Sequence, residues 1–234
     1  MEKEKIGSKI IKKAFKASVP VMTGYIVLGM GFGILLETKG YGVLWAFLMS
    51  LLIYAGSMQY VAVDLISGGA SFAAMALTTL MVNARHLFYG LSMVEKYKNT
   101  GKAKPYLIFA LTDETYSLVC SEDENEKGKK KYFFLVSLFN HCYWITGSVA
   151  GSLLGSVITF NTKGIDFALT ALFVTVFVEQ WKSTKDHLPA ITGVLVSTIC
   201  LLIFGAESFL IPTMVLITFA LAALKKLRRE ADEK

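Results

Sequence analysis

Long apolar runs separated by short polar breaks dominate this 234-residue chain. A transmembrane helix needs about 20 predominantly apolar residues, and roughly 17–25 are tolerated. The pattern therefore predicts helices at 17–36, 43–66, 70–92, 105–120, 132–159, 166–181, 190–205 and 207–224. Together they predict an all-α integral membrane protein, a polytopic bundle of eight helices, with seven as the alternative count.

Charged residues are concentrated outside these runs. They make up 18% of the chain, whereas soluble domains average about 25%. A basic segment at 1–16 precedes a single transmembrane domain at 17–224, and a charged tail follows at 225–234. With eight spans and an inside N-terminus, 17 Lys and Arg lie inside and 6 outside. The positive-inside rule thus predicts cytoplasmic termini in the cell membrane.

Four lysines in one short loop break this charge bias. Lys96, Lys98, Lys102 and Lys104 would lie outside in the eight-span arrangement. The exception disappears if 70–92 or 105–120 re-enters the membrane instead of crossing it, since the lysines then lie inside. Re-entry is open for both segments, because each contains a polar cluster that could interrupt a helix.

The tripeptide at 38–40 (TKG) recurs at 162–164, so an internal repeat is also an open alternative.

Charge and motifs exclude several classes of protein. The net charge of +6 does not indicate nucleic-acid binding, because no basic stripe is interleaved with aromatic residues. The three cysteines have neither disulfide-framework nor metal-site spacing. Nucleotide-binding loops and hydrolase motifs are missing too. We therefore expect no catalytic residues, no cofactor and no metal.

The most informative polar residues at membrane depth lie in the third predicted helix, at Asn83, Arg85 and His86. Each costs several kcal/mol there unless it is paired or hydrated. The permanent charge of Arg85 requires an anionic partner or a substrate carboxylate, unless the side chain extends to the interface. On an ideal helix Arg85 points about 160° away from Asn83. Arg85 therefore faces a separate partner, or the helix is broken there.

Adjacent carboxylates, Asp113 and Glu114, interrupt the fourth predicted helix. A helix places them about 100° apart, so one can face the bundle while the other neutralises Arg85. A carboxylate in a low-dielectric environment is also suited to taking up and releasing a proton. Three lesser candidates for substrate binding or coupling are Gln59, Glu179 and Gln180.

Small residues four positions apart form ridges on two predicted helices. Gly29 and Gly33 lie on the first helix, and Gly147, Gly151 and Gly155 on the fifth. Such ridges let helix backbones approach closely in lipid. We expect static packing here, with a sliding contact as the alternative.

Several segments resemble one known family of membrane proteins. They are YAGSMQY at 54–60, NARHLFYGLS at 83–92, LTDETY at 111–116, and DFALTALF at 166–173 with VEQW at 178–181. Together with ASVPV at 17–21 and GMGFG at 29–33, they resemble the AzlC-like branched-chain amino acid permeases. The likeness runs from about residue 12 to about residue 222.

The resemblance implies export of leucine, isoleucine, valine and analogues such as azaleucine, together with a small AzlD-like membrane subunit. We expect a secondary exporter, since the chain has no ATP-binding signature. Arg85 and the amides near Asn83 are candidates for binding the substrate carboxylate, and Asp113 or Glu114 for binding its ammonium group or a coupled proton. Phe88 and Met58 are candidates for the apolar wall.

Two other functions stay open from the residues alone. The chain could be a structural subunit of a membrane complex whose partner carries the substrate. Less favoured is an intramembrane enzyme that uses His86 with Asp113 or Glu114 as acid and base.

Overall fold

The computed structural model describes residues 2–83, 85–120, 128–157, 174, 177–178, 181–182, 184, 186–205 and 209–232. Within these ranges the structure contains ten α-helices, one short 3₁₀ turn and no strand, so the predicted all-α class is confirmed. The helices are α1 (Glu2–Thr38), α2 (Val43–Leu52), α3 (Gly56–Ser67), α4 (Phe72–Asn83), α5 (Arg85–Tyr97), α6 (Lys104–Phe109), α7 (Asp113–Val119), α8 (Lys129–Val157), α9 (Leu188–Phe204) and α10 (Leu210–Asp232).

The chain divides into two compact units, Met1–Leu169 and Thr170–Lys234. The first contains α1 to α8. In the second, α9 and α10 pack against each other. Helix α9 agrees with the helix predicted at 190–205, whereas α10 continues past residue 224 into the charged tail. The helix predicted at 166–181 lies mostly outside the described residues, as does the second copy of the tripeptide at 162–164.

The longest helices, α1 and α8, form the main packed pair of the first unit. At 1.5 Å per residue, their 37 and 29 residues extend about 55 and 43 Å. Both exceed the roughly 30 Å hydrocarbon core of a bilayer. Among the described residues, these two helices are long and apolar enough to cross a membrane. Helix α1 also includes the basic segment at 1–16.

Glycines remove the side chains that would hold these two helices apart. A Cβ atom built on Gly33 would lie 2.1 Å from the Ser148 carbonyl oxygen. One built on Gly151 would lie 2.1 Å from that of Met30. Close backbone packing of this kind is a main source of helix association in lipid. The glycines at the contact are Gly29, Gly33, Gly147, Gly151 and Gly155.

The expectation of one continuous helix at 43–66 is wrong. Helix α2 ends at Leu52 and α3 begins at Gly56. Between them Tyr54 has a φ of 46°, in the left-handed region that interrupts a right-handed helix. The Tyr54 ring is buried against His141, with the ring centroids 4.2 Å apart. The interruption therefore comes with tertiary packing on α8, which the apolar pattern does not reveal.

The segment predicted at 105–120 also consists of shorter helices, because α6 ends at Phe109 and α7 begins at Asp113. Thr112 has extended backbone angles, and its hydroxyl accepts a hydrogen bond from the Thr115 N–H. This side chain caps the N-terminus of α7. The interruption falls at the polar cluster that contains Asp113. The segment predicted at 70–92 is helical on both sides of residue 84, which lies outside the described residues.

We expect Gly33→Ala to destabilise the folded protein, because its Cβ would collide with the backbone of α8. Overpacking of this kind costs about 1–3 kcal/mol or more. Unfolding of the detergent-solubilised protein by SDS measures the change in the free energy of unfolding. Gly24→Ala is the matched control on α1, since a Cβ there meets nothing within 4 Å. Equal stability of the two variants would contradict the close packing of α1 on α8.

Candidate functional site

Arg85, the first residue of α5, joins the beginnings of two other helices. Its Nη1 donates to Asp113 Oδ2 at 2.5 Å, and its Nη2 donates to Ser57 Oγ at 2.6 Å. Asp113 lies in the first turn of α7 and Ser57 in the first turn of α3. The Arg85 and Asp113 side chains are 28% and 23% exposed. The ion pair is thus partly buried.

The first turn of α3 adds to the positive potential beside Arg85. Its N-cap residue is Ala55, which provides no side-chain hydrogen bond to the first N–H groups. Ser57 and Met58, in that turn, are buried. The N-terminus of a helix carries a partial positive charge from its unpaired N–H groups. The arrangement therefore favours a negatively charged group near Ser57.

The two adjacent carboxylates have different surroundings. Asp113 is paired with Arg85, whereas Glu114 Oε2 accepts a hydrogen bond of 2.7 Å from the Tyr25 hydroxyl. The same hydroxyl lies 2.7 Å from Thr112 Oγ1. In the part of the chain that the structure describes, no basic side chain forms an ion pair with Glu114. One carboxylate is therefore balanced by a cation, while the other is held by a phenol.

Tyr25 connects this site to the α1–α8 pair. It is buried on α1, and its ring packs edge-on against Trp144 of α8 with centroids 5.5 Å apart. On α8, the Asn140 amide donates to Thr115 Oγ1 at 3.1 Å, which is a second link between the long helices and α7.

The sequence analysis did not identify Tyr25 as a site residue. The available signal was its spacing, because Tyr25, Gly29 and Gly33 are four residues apart and share one helix face.

Gln59 belongs to a second polar network rather than to the Arg85 cluster. Its Oε1 accepts from Trp144 Nε1 at 2.8 Å, and its Nε2 donates to Ser50 Oγ at 3.4 Å. His141 extends the network, with Nε2 lying 3.1 Å from the Ser50 carbonyl oxygen and Nδ1 lying 3.2 Å from the Tyr106 hydroxyl. Gln59 is fully buried, so the network ties α2, α3 and α6 to α8.

Two side-chain oxygens near the site accept no hydrogen bond from the described residues. Among the described residues, Asp113 Oδ1 and Asn83 Oδ1 are buried without a hydrogen-bond partner. His86 lies beside Asn83, with its Nδ1 3.1 Å from the Asn83 carbonyl oxygen. Buried acceptors usually have partners, so these two are available to a donor group. Glu179 and Gln180, and the side chain of Phe88, lie outside the described part of the structure.

Comparison with known proteins identifies one matching family. The model described as "AzlC protein" matches residues 20–158. The chain is 41% identical to the Bacillus subtilis "Branched-chain amino acid transport protein AzlC", over 94% of this chain and 87% of that protein. It is 43% identical to an "Uncharacterized membrane protein" of Helicobacter pylori, over 93% of this chain and 96% of that one. No solved structure matches.

We expect the Arg85–Asp113 pair to show strong energetic coupling. Arg85→Gln and Asp113→Asn each leave one partly buried charge uncompensated, whereas the double variant removes both charges. Contacting charges of this kind couple by about 0.5–3 kcal/mol. A double-mutant cycle, measured by SDS-induced unfolding, gives the coupling energy. The control cycle uses the exposed pair Lys98–Glu95, for which less than about 0.5 kcal/mol is expected. Additive effects at Arg85 and Asp113 would contradict the pairing.

Proposed function

This chain belongs to the AzlC family, and we propose that it exports branched-chain amino acids as a multi-pass protein of the cytoplasmic membrane. The substrate class is supported by the name of the Bacillus subtilis relative, which aligns over nearly the whole chain. The observation that carries the proposal is the partly buried Arg85–Asp113 pair beside the first turns of α3 and α7.

A free amino acid brings one carboxylate and one ammonium group, so a binding site for it needs a cation and an anion close together. In the proposed complex, Arg85 and the first N–H groups of α3 bind the substrate carboxylate. Asp113 binds the ammonium group, because its Oδ1 has no partner among the described residues. Interrupted helices that present their ends to substrate charges are a recurrent feature of transporters. Met58, buried next to Ser57, supplies part of the apolar wall.

Glu114 is the proposed carrier of the coupled proton. Asp113 already balances Arg85, whereas Glu114 is held by the Tyr25 hydroxyl. When Glu114 takes up a proton, its carboxyl group gains a donor, so the Tyr25 hydroxyl can accept from it and donate instead to Thr112 Oγ1, 2.7 Å away. Protonation would thereby change the contact between α1 and α7. The ionisable groups that act on Glu114 are Tyr25, Asp113 and Arg85.

The proposed function also includes a membrane orientation and a partner subunit. Both termini are cytoplasmic, which the excess of Lys and Arg in the predicted inside segments supports. A small AzlD-like membrane subunit assembles with the chain, as the resemblance of the quoted segments implies. The outward direction of transport rests on the same resemblance.

Leucine efflux tests the function directly. Cells loaded with a leucine-containing dipeptide should release labelled leucine when the chain and an AzlD-like subunit are expressed. Arg85→Gln, at equal abundance in the membrane, should lower the rate at least tenfold because the carboxylate loses its cation. Lys98→Gln is the control, since Lys98 is exposed and pairs with Glu95. Undiminished efflux with Arg85→Gln would contradict the binding role, and no efflux with wild-type chain would contradict the function.

Reconstituted vesicles separate binding from proton coupling. Glu114→Gln should keep leucine counterflow but lose acceleration by a pH gradient, because the proton carrier is gone while Arg85 and Asp113 remain. Asp113→Asn should lose both activities. Tyr25→Phe should retain transport with a shifted pH profile, since the phenol no longer donates to Glu114. Gradient-driven transport by Glu114→Gln at the wild-type rate would assign the proton to another group.

A further inference from the structure

A cavity of about 340 Å³ lies between α5 and α6, on a different face of α5 from the Arg85 site. Helix α5 contributes His86, Gly90, Met93 and Tyr97, whose spacing of three to four residues places them on one side of the helix. The opposite wall includes Leu111, just after α6.

The neighbouring face of α5 is already occupied by α7. The Tyr89 ring stacks on Tyr116 with centroids 4.8 Å apart, and Ser92 Oγ donates to the Tyr116 hydroxyl at 3.1 Å. Further along, Lys96 Nζ donates to the Cys120 carbonyl oxygen. Arg85, Tyr89, Ser92 and Lys96 therefore bind α7, and the cavity is a separate feature.

The length of the cavity matches one leaflet of a bilayer. From His86 to Tyr97 the helix rises about 16 Å, roughly half of the 30 Å hydrocarbon core. One end lies beside Arg85, at the predicted membrane depth. The other end lies where α5 stops and the polar stretch 98–103 begins. The cavity thus runs from the neighbourhood of Arg85 to the polar loop that follows α5.

The lining suits a hydrocarbon chain better than an amino acid. Met93 and Leu111 are buried at the floor, whereas Leu87, Val94 and Ile108 form an exposed rim. No carboxylate belongs to the lining in the described residues, so an amino acid's ammonium group would have no anionic partner. An aliphatic chain could enter sideways from the bilayer between the rim residues.

Positive charge marks the interface end of the cavity. Lys104, partly buried, lines the cavity at the start of α6, and exposed Lys102 lies two residues before it. A lysine ammonium group is a common phosphate ligand. Basic clusters beside membrane-spanning segments attract anionic lipids. The same loop contains the lysines that break the positive-inside bias, so a lipid headgroup would account for charges that topology leaves unexplained.

We propose that the α5–α6 cavity binds an anionic glycerophospholipid. One acyl chain fills the cavity along α5, and the phosphate binds Lys104. The site does not depend on the proposed transport function, because none of its lining residues belongs to the Arg85–Asp113 cluster.

Native mass spectrometry of the purified full chain measures this binding. Equal amounts of dioleoyl phosphatidylglycerol and dioleoyl phosphatidylcholine are added, so the two lipids differ only in the headgroup. We expect a severalfold preference for phosphatidylglycerol. Gly90→Leu should lower the retained phosphatidylglycerol at least fivefold, because a Cβ at Gly90 meets nothing within 4 Å and a leucine would fill the cavity. Gly24→Leu on α1, where space is also open, should leave retention unchanged.

A second variant separates the charge from the cavity. Lys104→Gln should bring the preference between the two lipids close to one, while some lipid is still retained. Retention and headgroup preference that are the same in wild-type, Gly90→Leu and Lys104→Gln proteins would overturn the proposal. So would loss of leucine transport by Gly90→Leu with lipid retention unchanged, since the cavity would then belong to the substrate path.

Discussion

A permanent positive charge at membrane depth is the constraint on which the central arrangement depends. Arg85 cannot lose its proton, so its guanidinium needs an anion and further acceptors in a region with little water. Asp113 supplies the anion and Ser57 a hydroxyl. Both lie in the first turns of short helices, α7 and α3. The interruptions before α3 and α7 therefore place a carboxylate and a hydroxyl where Arg85 contacts both.

The site is built against a closely packed pair of long helices. At the glycine contact the backbones of α1 and α8 are so close that the two helices have little room to shift against each other. Tyr25 lies on the same face of α1 as Gly29 and Gly33. Its hydroxyl donates to Glu114 in α7, and Asn140 of α8 donates to Thr115 in the same helix, so α7 is bonded to both long helices. Trp144, between Tyr25 and Gln59, ties the second polar network to the same pair.

Hydrophobic pattern and charge predicted the all-α class, the approximate positions of α1, α8 and α9, and the polar cluster at the interruption before Asp113. They failed at 53–55, since Ile53, Tyr54 and Ala55 are compatible with a transmembrane helix by composition. The cause there is tertiary, as the left-handed Tyr54 packs on His141. Tyr25 was missed for a related reason, because a tyrosine in an apolar run resembles an ordinary packing residue until its hydroxyl partner is known.

The position of Asp113 and Glu114 on one helical turn has a thermodynamic consequence for the proposed transport cycle. The proposed substrate-binding group, Asp113, and the proposed proton carrier, Glu114, are adjacent residues joined by a single peptide bond. Any rotation or shift of α7 that changes the surroundings of one must change those of the other. Linkage then requires that protonation alter substrate affinity by the same factor by which substrate alters proton affinity. Coupling in this arrangement needs no chain of interactions across the bundle, because Asp113 and Glu114 lie in the same helix and move with it.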